Sequence, residues 1–201
     1  MIIAHLGNGA SLCAVNAGRS VASTMGFTAV DGLMMGTRCG ALDPGVILYL
    51  IQEHRMDAAA VEDLIYRKSG LLGVSGISSD MRSLRASDEP AAREAINLFV
   101  YRIIREMGSL VASLGGVDAL VFSGGIGEHD PLTRAEVVEG CRWLGVALDP
   151  GRNTRGDGLI SNDASRVAVW VIPTDEELLI AEHTVAVLSA PSARDPSAES
   201  S

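Results

Sequence analysis

The sequence predicts an α/β fold, a mixed sheet that opens with an antiparallel meander and is flanked by helices, on three observations. First, Met1 to Leu6 and Ser11 to Val15 read as short strands joined across Gly7-Asn8-Gly9, and Asn16-Ala17-Gly18 turns the chain again before Arg19 to Thr24. An Asn-Gly pair readily takes the positive φ angles that a tight hairpin requires. Second, apolar residues recur every three or four positions at Ile96, Phe99, Val100, Ile103, Met107, Leu110, Val111 and Leu114, then stop at Gly115-Gly116. That period predicts a long helix, opening after Ser87-Asp88-Glu89-Pro90. Third, the apolar run Val117 to Phe122 enters Ser123-Gly124-Gly125-Ile126-Gly127, and a helix follows from about Leu132 to Leu144. Strand, glycine loop and helix in that order can cradle a phosphate or a nucleotide.

The remaining elements follow from local signals. Met25 to Gly40 carries four glycines and a lone arginine, Arg38, and reads as a long structured loop. Asp43-Pro44 fits an N-cap and first helical position, with Val46, Ile47, Leu50 and Ile51 as the apolar face of the helix. Asp57 caps a second helix with Val61, Leu64 and Ile65 inward, ended by Ser69-Gly70. Gly70 to Asp80 is rich in glycine and serine and leads to Asp80-Met81-Arg82. Asp149 to Asp163 is turn-rich, and Val167 to Ile172 is a strand. Thr174 and Glu177 have capping-box spacing at the start of a last helix that runs to about Leu188. One domain is expected over residues 1–188, with residues 189–201, rich in Pro, Ser and Ala, as a disordered tail.

Composition narrows the classes. With 47% hydrophobic residues among 201, the chain has ample material for a core. A net charge of −9 argues against a nucleic-acid partner bound through a broad basic surface, so an anion must be gripped by a few local groups. Cys13, Cys39 and Cys141 have neither paired spacing nor clustered histidines, which disfavours disulfides and zinc and predicts a reducing, cytoplasmic setting. No apolar run is long enough to span a bilayer, so no membrane partner is expected.

Two separated glycine turns could hold opposite ends of a nucleotide. Bare backbone N–H groups at Gly7-Asn8-Gly9 can approach a phosphate closely, although Asn-Gly alone is equally an ordinary hairpin turn. The loop at Gly124 to Gly127 does not fit G-x-G-x-x-G, and no Gly-Lys-Ser/Thr follows any glycine loop. Rossmann and Walker A classes are therefore disfavoured.

Four motifs in order, His5-Leu6-Gly7-Asn8-Gly9, Met35-Gly36-Thr37-Arg38, Phe122-Ser123-Gly124-Gly125-Ile126-Gly127-Glu128 and Pro173-Thr174-Asp175-Glu176-Glu177-Leu178, resemble acetate kinase, over about Ile2 to Leu188. The resemblance is to the carboxy-terminal half of that family. It implies a ribonuclease-H-like domain of the actin, sugar kinase and Hsp70 superfamily, and Mg²⁺- or Mn²⁺-dependent phosphoryl transfer between ATP and acetate, giving acetyl phosphate and ADP. It further implies that His5, Leu6, Gly7, Asn8 and Gly9 contact the ATP phosphates, with His5 on the transferred group. Arg38 corresponds to the arginine that stabilises the developing charge, a task suited to a planar, permanently charged guanidinium. Asp80, Met81 and Arg82, together with Gly125, Ile126, Gly127, Glu128 and His129, correspond to the stretches that hold adenosine. Glu176 corresponds to a metal-placing carboxylate, a hard oxygen ligand. His129 and Asp175 depart from the asparagines that the family often carries there. The family's magnesium-site asparagine, substrate-binding arginine and catalytic aspartate have no counterpart in this sequence, so an amino-terminal half is an expected partner, as is a second copy in a homodimer. A non-catalytic nucleotide-binding or dimerisation remnant, and a propionate or butyrate kinase, remain the alternatives.

Overall fold

The structure, a computed structural model, describes residues 1–189, with the side chains of Glu176, Glu177, Leu179 and Ser189 excepted. The expected tail from residue 190 onward lies outside the described residues.

The meander forms as the turn residues dictate. Strands β1 (Ile2–Leu6), β2 (Ala10–Asn16) and β3 (Arg19–Ser23) pair antiparallel in succession. In β1 and β2 burial alternates strictly, with Ile2, Ala4, Leu6, Ala10, Leu12 and Ala14 inward, as a pleated strand with one packed face requires. Asp43 N-caps α1 (Pro44–Gln52) and Asp57 N-caps α2 (Ala58–Arg67), each carboxylate accepting from a first-turn N–H. Two short helices that the sequence does not announce follow: α3 (Gly70–Ser75), inside the glycine- and serine-rich stretch, and α4 (Met81–Arg85), directly after it. Gly70 therefore starts a helix rather than ending one, because α3 buries Leu71 and α4 buries Met81 and Leu84 against the core.

The long helix α5 (Pro90–Leu114) ends at Gly115 in the left-handed conformation. It turns Ile96, Phe99, Val100, Ile103, Met107, Leu110 and Val111 into the core, as the period predicts, and packs across β1 and β2. After β4 (Ala119–Ser123) the glycine motif is itself a short helix, α6 (Gly124–His129), followed by α7 (Pro131–Gly140) and a 3₁₀ turn at Arg142–Leu144. The single helix expected from Leu132 to Leu144 is thus broken near Cys141. The turn-rich stretch holds α8 (Pro150–Arg155) and β5 (Gly158–Leu159); β6 (Ala168–Val171) and α9 (Glu176–Ser189) close the chain. Asp175, not Thr174, accepts from the Leu178 N–H at 2.9 Å at the start of α9, and the side chain of Glu177 lies outside the described residues.

The six strands are ordered β3-β2-β1-β4-β6-β5. β1, β4 and β6 run parallel, with His5 opposite Ser123 and Phe122 opposite Val171. Their carboxyl ends therefore lie along one edge of the sheet, where the loops that follow each of them emerge together. In open α/β sheets that edge is where ligands bind.

One expectation fails on packing. Of the α1 face expected to point inward, Ile47 and Leu50 are half-buried and Val46 and Ile51 are exposed, because among the described elements α2 alone packs against the helix and covers only part of that face. Among the described residues no helix is long and apolar enough to cross a membrane.

Candidate functional site

Three segments converge at the carboxyl edge. The hairpin turn Gly7–Gly9 leaves β1, and α6 leaves β4 beside it; a Cβ on Gly7 would stand 3.8 Å from the Gly125 nitrogen. Gly124 has φ +75° and lies so close to β1 that a side chain would meet Leu6 O at 2.9 Å and His5 Nε2 at 3.1 Å. Only glycine fits both the left-handed backbone and the gap. His5, half-buried, is thus the neighbour of the second glycine turn as well as of the first.

The third segment is the loop that carries Arg38. Gly36 donates its N–H to Asn8 O at 2.9 Å, and a side chain there would collide with Asn8 Oδ1. The loop is also fixed from behind: Leu71 and Leu72 donate to Met35 O and Gly36 O, Ser69 donates to Thr37 O, and Cys39 donates to Ile65 O. Arg38 is held on this frame beside Gly9, its Nη1 3.7 Å from where a Gly9 Cβ would stand and donating to Ala29 O at 3.1 Å. Among the described residues none of the ion pairs includes Arg38. Within the turn the Gly7 N–H is spent on Gly9 O at 2.9 Å, and among the described residues the Asn8 and Gly9 amides have no backbone acceptor. A half-buried guanidinium with no carboxylate partner, next to those two amides, is arranged for an anion.

A cleft of about 1050 Å³ opens from these turns. Gly7 and Asn8 lie at one end; Ser79 to Arg82, Arg85 and Ala86 form one wall, and Gly125, Ile126 and His129 to Leu132 form the other. Met81, Ile126, Pro131 and Leu132 make much of the lining apolar, which suits a flat ring system. Of the residues the sequence singles out for nucleotide, the cleft is lined by Gly7, Asn8, Asp80, Met81, Arg82, Gly125, Ile126 and His129. His5 and Gly9 stand outside the lining, His5 beside Gly124 and Gly9 beside Arg38, while Leu6 and Gly127 are buried supports.

Asp80 does two things at once. Its carboxylate accepts from the Arg82 N–H at 2.8 Å, capping α4, and binds the Arg82 guanidinium through Nη2 at 2.6 Å. Those bonds from Arg82 hold its pKa at about 2, well below the usual carboxylate range. Glu128 turns away from the cleft. Its Oε1 accepts from the Gly124 N–H at 2.8 Å and from the Thr174 N–H and hydroxyl at 3.1 and 3.3 Å. It thereby ties the glycine turn to the loop that carries Asp175. The side chain of Glu176 lies outside the described residues.

Sequence reasoning misses two arginines that hold the walls, Arg134 buried behind the second and Arg85 half-buried on the first. Arg134, 1% exposed, donates from Nη1 to Gly127 O at 2.8 Å and Glu128 O at 2.9 Å, and from Nε to Asn153 Oδ1 at 2.8 Å. Burial lowers its pKa against the opposing pull of Asp130. Arg85, on the first wall, reaches across to Asp130, Thr133 and Glu136 of the second. Burial would lower its pKa too, but hydrogen bonds and charges from Glu136 and Asp130 outweigh it and raise it. The readable signal for Arg134 is that it shares a helix face with buried Val137, Val138 and Cys141, three, four and seven positions on.

Comparison with known proteins shows the family to which the chain belongs. The Acetokinase family model matches residues 1–182. A protein of Rhodopseudomonas palustris named acetate kinase is 64% identical over 185 residues, which cover 91% of this chain and 46% of that protein. A Methylocella silvestris acetate kinase is 58% identical, covering 94% and 46%. Among solved structures, an acetate kinase of Porphyromonas gingivalis superposes with TM-score 0.86 at 42% identity, covering 93% of this chain and 48% of that one. A propionate kinase of Francisella tularensis gives 0.85 at 36% identity, covering 90% and 47%. The chain thus spans about half the length of the relatives it matches, and its fold is of the actin, sugar kinase and Hsp70 type. On a match that runs from the first β-strand into the last helix, this chain belongs to the acetokinase family.

Proposed function

We propose that this chain supplies the nucleotide-binding half of an enzyme that transfers the γ-phosphoryl group of ATP to acetate, reversibly. The observation that carries the reading is the convergence of two glycine turns and an unpaired, half-buried Arg38 at the end of an apolar-lined cleft. Adenosine lies between the two walls, and the phosphates reach the amides of Asn8 and Gly9.

The chemistry asks little of the protein beyond position and charge. The oxygen of an ionised carboxylate forms the new P–O bond while the bond from the γ-phosphorus to the β,γ-bridging oxygen breaks, and ADP leaves with that electron pair. The nucleophile is already deprotonated at neutral pH, so no general base is required. Arg38 stabilises the charge spread over the transferring group, and His5 donates a hydrogen bond to it. Among the described residues no cluster of three or more His, Cys, Asp or Glu forms. Mg²⁺ needs no such cluster, since it takes one or two carboxylates plus substrate phosphates and keeps several waters. Glu176, supported by the exposed Asp175 next to it, is the carboxylate we assign to it. When bound, the ion neutralises charge on the phosphates.

Acetate as the acid rests on the names of the closely similar relatives; the propionate kinase superposition keeps a three-carbon acid as the second reading. The exposed apolar side chains of α1 support the homodimer, and three free cysteines support a reducing, cytoplasmic setting. The test is ATP formation from acetyl phosphate and Mg·ADP by the purified chain, alone and mixed with the amino-terminal half of the Rhodopseudomonas relative. Turnover only in the mixture is expected. Turnover by the chain alone contradicts the need for a second half, and a folded mixture that binds ADP without turnover favours a non-catalytic module.

A further inference from the structure

We propose that Arg85 is a positioning residue for the nucleoside end of the site, fixing the separation of the two walls between which that end lies. This inference rests on the nucleotide reading of the cleft given above. The first wall hangs on the core through Met81 and Leu84, whereas the second continues from β4 through α6 into α7. Arg85 and Asp130 are 45 residues apart in sequence, and the link between them crosses directly from one wall to the other.

Every nitrogen of the Arg85 guanidinium takes part. Nε donates to Asp130 Oδ2 at 3.3 Å, Nη1 to Glu136 Oε1 at 2.8 Å, and Nη2 to Thr133 Oγ1 at 3.0 Å and Glu136 Oε2 at 2.5 Å. A planar fork engaged at three residues fixes angle as well as distance, which a point charge does not. Its side chain is 13% exposed, so water competes poorly for these bonds. Asp130 serves the second wall twice over: the same carboxylate caps α7 at Leu132 and Thr133 and accepts from the Thr133 hydroxyl. Pro131 and Leu132, which line the cleft, follow it directly. Where Arg85 places Asp130, the lining goes too. With its nitrogens spent on the protein, Arg85 acts on a ligand through the wall it sets.

The test is calorimetric titration of ADP and of adenosine into the 201-residue chain and its Arg85→Gln, Arg85→Lys and Glu136→Gln variants, with a thermal melt of each. Glu136 lies outside the cleft lining, so its variant loosens the link and leaves the lining unchanged. Arg85→Gln should weaken both ligands by the same factor, about tenfold, at full stoichiometry, and Glu136→Gln by about threefold. Arg85→Lys, which keeps charge without the fork, should fall between wild type and Arg85→Gln. A purely structural role would lower the melting temperature and the binding stoichiometry with Kd of the folded fraction unchanged, and that result overturns the proposal. So does a loss confined to ADP, which would place Arg85 at the phosphates. If Arg85→Gln does not fold, Arg85→Lys and Glu136→Gln decide by the same readouts. A folded wild-type chain that binds neither ligand overturns the nucleotide reading itself; a binding wild type with unaltered variants overturns the role of Arg85 alone.

Discussion

Replacing Arg38 by alanine is expected to lower the turnover number of the completed enzyme by about 10³-fold, or about 4 kcal/mol of transition-state stabilisation. The size follows from the environment. Arg38 is half-buried, without a carboxylate partner among the described residues, on a loop bonded both to the Gly7–Gly9 turn through Gly36 and Asn8 and to α2 and α3 behind it. A guanidinium held in advance does not have to reorganise when charge develops on the transferring group. The loop itself survives the substitution, because the bonds that fix it are backbone bonds from Gly36, Ser69, Leu71 and Leu72. Binding of ADP should change little and the melting temperature less, so the loss appears in turnover. Arg38→Lys should recover part of it, having the charge without the second donor. Steady-state kinetics of the two variants check this; an unchanged turnover number in Arg38→Ala removes the residue from the mechanism.

Replacing Arg134 by methionine should cost about 3 kcal/mol of stability, among the largest losses for a single change in this chain. Methionine fills most of the volume and donates nothing. The carbonyls of Gly127 and Glu128 at the end of α6, and both oxygens of Asn153 that receive this side chain, would lose their donor in the interior. Lost donors to buried acceptors cost more than the bonds contribute when made. For a domain of this size that corresponds to a melting temperature lower by about 6–12 °C. Because the same carbonyls anchor the glycine turn, affinity for ADP should fall as well. A melt by circular dichroism measures the first effect, and a drop of less than about 3 °C would show that water replaces the guanidinium at little cost.

What was legible in the sequence follows from how local each signal is. The meander, the inward face of α5, and the caps at Asp43 and Asp57 depend on neighbours a few positions away, and the structure has them. The parallel pairing of β1 with β4 was not written in either strand. It joins residues more than a hundred positions apart, and it is what brings Gly7 beside Gly125. The role of Glu128 was hidden for the same reason: its carboxylate is used by Gly124 and by Thr174, 46 residues on. Nothing local marks Arg85 either: its partners Asp130, Thr133 and Glu136 lie 45 to 51 positions on. The face of α1 misled in the opposite sense. Its apolar spacing is real, but among the described residues α2 covers only part of it, leaving Val46 and Ile51 exposed.

If the cleft between residues 79–86 and 125–132, with the turn at Gly7 to Gly9, holds a nucleotide as proposed, hydrogen exchange of the folded chain will differ with and without Mg·ADP. Slowed exchange is expected in the amides of Gly7 to Gly9, of Asp80 to Ala86 and of Gly125 to His129, with the surface of α1 unaffected. A folded chain whose exchange is unchanged by Mg·ADP, or is slowed only outside those three segments, contradicts the proposal.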